Sequence, residues 1–170
     1  SFTQEDLKIH GHAIELRVCA EDPLNNFLPS VGNLLRYQEP SGDGIRVDAG
    51  YVEGMDIPIN YDPMIAKLVV HANNRTEAIQ LMKTAIAGYH IEGVATTLSF
   101  GTFVMNHEAF ISGHFDTNFV KQYYSADKIK DAQREKARIA ALVALKHWLA
   151  ARKEIKMAAP IASNWKSRLA

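Results

Sequence analysis

The chain changes character near Tyr124, and this change limits the folds that it can adopt. Before Tyr124, short runs of β-forming residues are separated by turn residues; after it, the sequence is rich in Ala, Lys and Arg. A run of strands followed by a run of helices is typical of the α+β class. We therefore predict a domain over residues 1–125 and a helical tail over residues 126–170.

Several segments of the first part have the pattern of strands. Residues 9–20 alternate apolar and polar side chains, which indicates a half-buried strand. Residues 64–72 are apolar enough to lie in the centre of a sheet. Shorter β segments are predicted at 33–38, 45–48 and 90–94. Together they predict a small, mostly antiparallel sheet.

One amphipathic helix is predicted to pack on this sheet, beginning at residues 74–77 and ending at Tyr89. Its apolar residues at helical spacing are Ala78, Ile79, Met82, Ala85 and Ile86. Shorter helices are expected at about 97–106, 107–112 and 117–124. A long C-terminal helix is expected at 126–153, with Ser125 as its N-cap.

Charge and cysteine content exclude several classes of protein. Lys plus Arg and Asp plus Glu number 19 each, so a broad electrostatic grip on nucleic acid or on an anionic membrane is not expected. The single cysteine, Cys19, cannot form an internal disulfide, which favours a reducing compartment. No apolar stretch reaches the roughly 20 residues of a membrane span, and residue 1 does not open a signal peptide. We expect a soluble, cytoplasmic protein.

Metal binding and cysteine catalysis are both disfavoured by the pattern of candidate residues. His10 and His12 stand two apart on a predicted strand and so share a face, but no third ligand lies at a suitable spacing. We therefore predict no metal site. Cys19 has no basic partner nearby in the sequence, so we interpret it as a buried and inert thiol.

Arg46 is the residue with the clearest chemical potential. It follows the turn Gly42-Asp43-Gly44 on a short strand, and a guanidinium there could bind a planar oxyanion through two parallel hydrogen bonds. The alternative is a surface ion pair with Asp48 or Glu53. Asp62 and Lys67 also allow two interpretations, because they could brace the fold or line a site.

Several runs of the sequence, taken in order, resemble the C-terminal domain of biotin carboxylase over residues 4–124. The main runs are residues 11–15 (GHAIE), 20–23 (AEDP), 26–30 (NFLPS), 44–48 (GIRVD) and 61–68 (YDPMIAKL). The likeness continues at 74–75 (NR), 93–94 (GV) and 115–119 (FDTNF). The chain departs from the family pattern at His10, Val31 and Thr97, where arginine, proline or threonine, and asparagine respectively are more usual.

The resemblance implies a reaction in two stages. ATP, with magnesium, activates bicarbonate, and the carboxyl group is then transferred to the ureido nitrogen of biotin on a carrier domain or protein. It also implies that Arg46 faces the reaction centre, as a catalytic and biotin-binding residue, and that Phe119 lies near the adenine of ATP. It further suggests a homo-oligomeric enzyme that has a carboxyltransferase subunit as its other partner.

The family's ATP-grasp region has no counterpart in this sequence, so we expect a C-terminal fragment that is inactive alone. The tail at 126–170 resembles the extra segments of acyl-CoA carboxylases, and we expect it to dock another domain or subunit. Acetyl-CoA carboxylase, which would mean fatty acid metabolism, or propionyl-CoA carboxylase is favoured over pyruvate carboxylase. A eukaryotic source would move the expected location to the mitochondrial matrix. The alternative function is a non-catalytic module for the assembly of subunits.

Overall fold

The computed structural model describes residues 2–58, 60 and 62–152, which form strands followed by helices. The strands are β1 His12–Cys19, β2 Glu21–Asp22, β3 Leu28–Pro29, β4 Gly32–Asn33, β5 Arg36–Gln38, β6 Ile45–Ala49, β7 Asp56–Ile57, β8 Met64–Ala72 and β9 His90–Glu92. The helices are α1 Arg75–Gly88, α2 Leu98–Asn106, α3 Glu108–Ser112, α4 Phe119–Tyr123 and α5 Ala126–Arg152. The predicted α+β class is confirmed.

The principal sheet has three antiparallel strands in the order β1-β8-β6. The central position of β8 agrees with its apolar sequence, and its bounds are those predicted. Three further antiparallel pairs, β2-β3, β4-β7 and β5-β9, surround this sheet.

The core lies between the sheet and α1. From the sheet, Val18, Leu68 and Val70 are completely buried, because alternation points them to the same side as the helix. From α1, the five predicted apolar residues are all buried. The helix begins after Asn74, whose side chain accepts a hydrogen bond from the backbone N–H of Glu77.

Helix α2 approaches this core closely, and Gly101 permits the approach. A Cβ atom at Gly101 would lie 2.6 Å from Cδ2 of Leu16 on β1. A larger residue here would push α2 away from the packed sheet.

Two predicted boundaries are wrong for identifiable reasons. Strand β1 begins at His12 instead of residue 9, because Gly11 takes a left-handed conformation with φ +72°. Strand β7 falls in a segment that the pattern left as a loop. It has two residues and pairs with Gly32–Asn33, so no local periodicity indicates it.

The chain divides into two compact units, residues 1–130 and 131–170, a boundary close to the predicted one between 125 and 126. The last predicted residue of the long helix, and the remainder of the tail at 153–170, lie outside the described residues. None of the described helices combines the length and the apolar character needed to cross a membrane.

Candidate functional site

One face of the three-stranded sheet is left uncovered by α1, and it carries most of the candidate residues. We call it the outer face, and it consists of Ala13, Glu15 and Arg17 on β1, Arg46 and Asp48 on β6, and Lys67, Val69 and His71 on β8. Register pairs these side chains in rows across the sheet. Glu15, Val69 and Arg46 form one row, and Arg17, Lys67 and Asp48 form the next.

Arg46 owes its position to the turn that precedes β6. Gly44 has φ +74°, and a Cβ atom there would lie 2.4 Å from the carbonyl oxygen of His71. The carbonyl oxygen of Gly44 accepts a hydrogen bond of 2.8 Å from the backbone N–H of His71. Only glycine allows this close pairing at the start of β6. The turn therefore fixes the register that places Arg46 on the outer face.

The guanidinium of Arg46 pairs with Asp48, the first of the two partners suggested by the sequence. Nη2 of Arg46 lies 3.2 Å from Oδ2 of Asp48, with side chains that are 69% and 50% exposed. An ion pair this exposed contributes only about 0–1 kcal/mol. The other suggested partner, Glu53, instead accepts a hydrogen bond of 3.0 Å from the backbone N–H of Tyr37. Arg46 is thus accessible and only weakly held.

Asp62 and Lys67 are not the buried pair that a bracing role would need. Asp62 accepts a hydrogen bond of 2.9 Å from the backbone N–H of Met64, and its other oxygen lies 3.9 Å from Arg17. Its side chain is 51% exposed. Lys67 is half-buried on the outer face, directly between Arg17 and Asp48. Both residues therefore border the candidate site.

Phe119, the proposed adenine neighbour, lies in a different environment. It is only 7% exposed, and its ring centroid lies 5.1 Å from that of His107 and 5.2 Å from that of Tyr123. These rings belong to an aromatic cluster formed by Phe27, Phe100, Phe103, His107, Phe110, Phe115, Phe119, Tyr123 and Tyr124. The structure does not bring Phe119 into contact with Arg46. Any ligand could touch only the small accessible part of its ring.

Arg75 is a structural residue whose role the sequence does not indicate. Its Nη1 donates to Nε2 of His12 at 3.2 Å, and its Nη2 donates to the carbonyl oxygen of Phe110. The guanidinium carbon lies 4.7 Å from the centroid of the Phe110 ring, within range of a cation–π interaction. Arg75 therefore ties α1 to β1 and to the aromatic cluster.

The histidines considered as metal ligands have other partners. His12 accepts from Arg75, while His71 Nε2 lies 2.8 Å from the carbonyl oxygen of His10. Within the described residues, no group of three or more His, Cys, Asp or Glu side chains could hold a metal ion.

Cys19 and Thr97 meet at the end of β1. Burial raises the pKa of the Cys19 thiol, which opposes formation of the thiolate that a nucleophile requires. The hydroxyl of Thr97 accepts from the backbone N–H of Cys19 at 3.0 Å and donates to the carbonyl oxygen of Arg17 at 2.9 Å. Threonine thus satisfies both backbone groups at this departure from the family pattern.

Comparison with known proteins gives a consistent result. The family model of the biotin carboxylase C-terminal domain matches residues 15–122. One of the two kinds of pyruvate carboxylase chain in Methanothermobacter thermautotrophicus is 48% identical over 122 residues, which are 72% of this chain and 25% of that protein. The propionyl-CoA carboxylase alpha chain of Ruegeria pomeroyi is 38% identical over 172 aligned residues, which cover 88% of this chain and 25% of that protein.

Solved structures agree with the sequence comparisons. The biotin carboxylase component of a pyruvate carboxylase superposes with a TM-score of 0.71 at 40% identity, over 72% of this chain and 27% of that one. The biotin carboxylase domain of 2-oxoglutarate carboxylase from Hydrogenobacter thermophilus, solved with MgADP and bicarbonate, gives 0.70 at 38% identity over the same shares. The chain spans about a quarter of the length of these relatives. With a family model covering more than half of its residues, the chain belongs to the biotin carboxylase C-terminal domain family.

Proposed function

We propose that this chain is the C-terminal domain of a longer biotin carboxylase, a ligase that carboxylates protein-linked biotin using ATP and bicarbonate. The relatives named above are biotin carboxylases or carboxylase chains that match it at 38–48% identity. The chain by itself is expected to be inactive, because it corresponds to only a quarter of their length.

The observation that carries the proposal is the accessible, weakly paired guanidinium of Arg46 on the outer face. Biotin, when bound, supplies the ureido nitrogen that takes the carboxyl group. Negative charge then develops on the adjacent oxygen, and Arg46 can donate two parallel hydrogen bonds to it. Because the turn at Gly44 fixes the start of β6, this donor is oriented in advance. The same fork suits bicarbonate, which is also a planar oxyanion.

The residues of this chain fit the other cofactors less well. The described part holds no carboxylate cluster for magnesium. Phe119 offers a nearly buried ring that could border an adenine from one side only. We therefore assign the phosphates and the metal of MgATP to the remainder of the longer enzyme.

The tail favours an acyl-CoA carboxylase as the complete enzyme. Alignment with the Ruegeria pomeroyi propionyl-CoA carboxylase chain covers 88% of the sequence, against 72% for the pyruvate carboxylase chain, so it reaches into residues 126–170. A propionyl-CoA or acetyl-CoA carboxylase would supply the carrier domain and the carboxyltransferase as partners, in a homo-oligomeric assembly. We place such an enzyme in the cytoplasm, or in the mitochondrial matrix of a eukaryote, since several relatives are mitochondrial proteins.

The apolar side chains of α5 support a docking role for the tail within that enzyme. Those on the described part of the second unit remain exposed by about half or more: Ile139, Leu142, Val143, Leu145, Trp148 and Leu149. Exposed apolar surface of this extent is typical of interaction sites. We assign residues 126–170 to contact with another domain or subunit of the same carboxylase.

Substitution of Arg46 in the complete carboxylase tests the proposed function. Loss of one preorganised oxyanion donor typically costs about 10²–10³ in rate, so Arg46→Ala should reduce carboxybiotin formation by this factor. Arg46→Lys should recover only part of the rate, because an ammonium lacks the planar fork. ATP affinity should remain near that of the parent, while ATP hydrolysis becomes uncoupled from carboxylation.

Arg36→Ala is the matched control. Arg36 is another exposed arginine on a strand, and its Nη1 lies 3.4 Å from Oε1 of Glu92. Its loss should change carboxylation by less than about twofold. Carboxylation by Arg46→Ala within about threefold of the parent, a barrier change of under about 1 kcal/mol, would make Arg46 a surface ion pair and favour the assembly-module alternative.

A further inference from the structure

Two cations of the outer face can reach the same carboxylate. Asp48 lies two residues after Arg46 on β6, so both side chains point to one side. It also lies directly opposite Lys67 on β8. Directly opposed residues of antiparallel strands have Cβ atoms about 4.5–5.5 Å apart, within easy reach of a lysine. Asp48 is therefore placed to pair with either Arg46 or Lys67.

The structure shows the first of these pairings. Arg46 is the partner of Asp48, whereas the ammonium of Lys67 makes no ion pair within 4.0 Å of another described residue. Its neighbour on the other side is Arg17, which is itself turned toward Asp62. Lys67 and Asp48 both line a shallow depression of about 290 Å³ at the end of the outer face. A half-buried cation thus stands beside a carboxylate that is engaged elsewhere.

This arrangement matters when an oxyanion approaches Arg46. The carboxylate of Asp48 occupies the guanidinium and, once displaced, still repels a second anion at close range. A cation that accepts the displaced carboxylate removes both obstacles. Since the Arg46–Asp48 pair is largely exposed, little is lost when the two separate.

We propose that Asp48 exchanges Arg46 for Lys67 when Arg46 binds its oxyanion, which makes Lys67 a positioning residue for the reaction. The inference rests on the proposed role of Arg46. It gives the lysine of the central strand a function that neither its alternation pattern nor the core requires. Without Lys67, Asp48 keeps Arg46 occupied and the oxyanion meets an uncompensated negative charge.

A double-substitution experiment in the complete carboxylase tests this exchange. Lys67→Met keeps an unbranched apolar stem and should lower kcat/KM for biotin carboxylation about three- to tenfold, with the KM for ATP unchanged. Asp48→Asn alone should keep at least the activity of the parent. Addition of Asp48→Asn to Lys67→Met should restore kcat/KM to within twofold of Asp48→Asn, because the competing charge has gone.

Two further variants separate this effect from a general change of charge. Glu15 is the other carboxylate of the outer face, but it lies opposite Val69, one row from Lys67. Glu15→Gln should therefore not rescue Lys67→Met. Lys67→Arg retains a cation opposite Asp48 and should stay close to the parent.

Several outcomes would overturn the exchange. They are parental activity in Lys67→Met, failure of Asp48→Asn to rescue it, rescue by Glu15→Gln, and a loss of more than threefold in Asp48→Asn alone. The last measurement stands even where Lys67→Met fails to fold. An inactive Arg46→Ala beside a fully active Lys67→Met refutes only this inference, whereas a fully active Arg46→Ala refutes the proposed function itself.

Discussion

Gly44→Ala should destabilise the first unit more than an ordinary glycine substitution does. Two separate costs arise at this position. The left-handed φ of +74° costs an alanine about 1–2 kcal/mol. In addition, its Cβ would lie 2.4 Å from the His71 carbonyl oxygen, so β6 must move away from β8. That movement breaks the hydrogen bond between the His71 N–H and the Gly44 carbonyl, a net loss of about 0.5–1.5 kcal/mol.

Gly113→Ala isolates the first of these costs. Gly113 ends α3 with φ +82°, and a Cβ atom there would have nothing within 4 Å. Its substitution should cost about 1–2 kcal/mol, against about 2–3 kcal/mol for Gly44→Ala. Each kcal/mol shifts the melting temperature of a domain of this size by roughly 3–6 °C.

Urea unfolding and calorimetry of the 170-residue chain provide the comparison. The midpoint of Gly44→Ala should lie below that of Gly113→Ala, by roughly 3–6 °C in the thermal experiment. Equal free energies of unfolding, within about 0.5 kcal/mol, would show that β6 yields without losing its pairing. The turn would then not determine the position of Arg46.

Two other predictions concern the tail and the tyrosines. Deletion of residues 126–170 should leave a cooperative thermal transition, because every core residue lies between Ile14 and Phe119, while association with the rest of the carboxylase weakens; loss of the transition would place the tail in the core. The hydroxyl oxygens of Tyr37 and Tyr89 lie 2.5 Å apart, and burial raises the pKa of both side chains above the ordinary value of 10.0. Unfolded phenols lose their protons first, so stability is retained below pH 10 and declines above it; melting temperatures of Tyr89→Phe measured from pH 8 to 11 should show a shallower decline, and an unchanged decline would contradict the assignment.

The regular elements could be predicted because their signals are local. The uninterrupted apolar run of β8 and the helical spacing of α1 need no knowledge of distant residues, and both agree with the structure. Strand β7 could not be predicted, since its two residues are defined by backbone pairing with Gly32–Asn33, far away in the sequence. The role of Arg75 escaped for a similar reason, because its partners His12 and Phe110 belong to other elements.

The candidate site was predictable in part. Alternation and the turn at Gly44 place Arg46 on an exposed strand, and Asp48 was one of its two suggested partners. The position of Lys67 opposite Asp48 depends on the register between β6 and β8, which a single sequence does not reveal. Phe119 entered through resemblance alone, and that route carried no information about its burial in the aromatic cluster.

The composition of the outer face bears on the choice between a reaction site and an assembly surface. Except for Ala13 and Val69, every member of this face carries an ionisable side chain. The cores of protein interfaces are depleted in charged residues, since buried charges must lose water. Clefts that bind small oxyanions instead need cations held near neutralising carboxylates, so that the site is charged but not permanently occupied. The arrangement of Arg46, Asp48 and Lys67 fits the second case. The exposed apolar side chains of α5 fit the first, so within this chain the sheet is the part suited to chemistry and the tail the part suited to assembly.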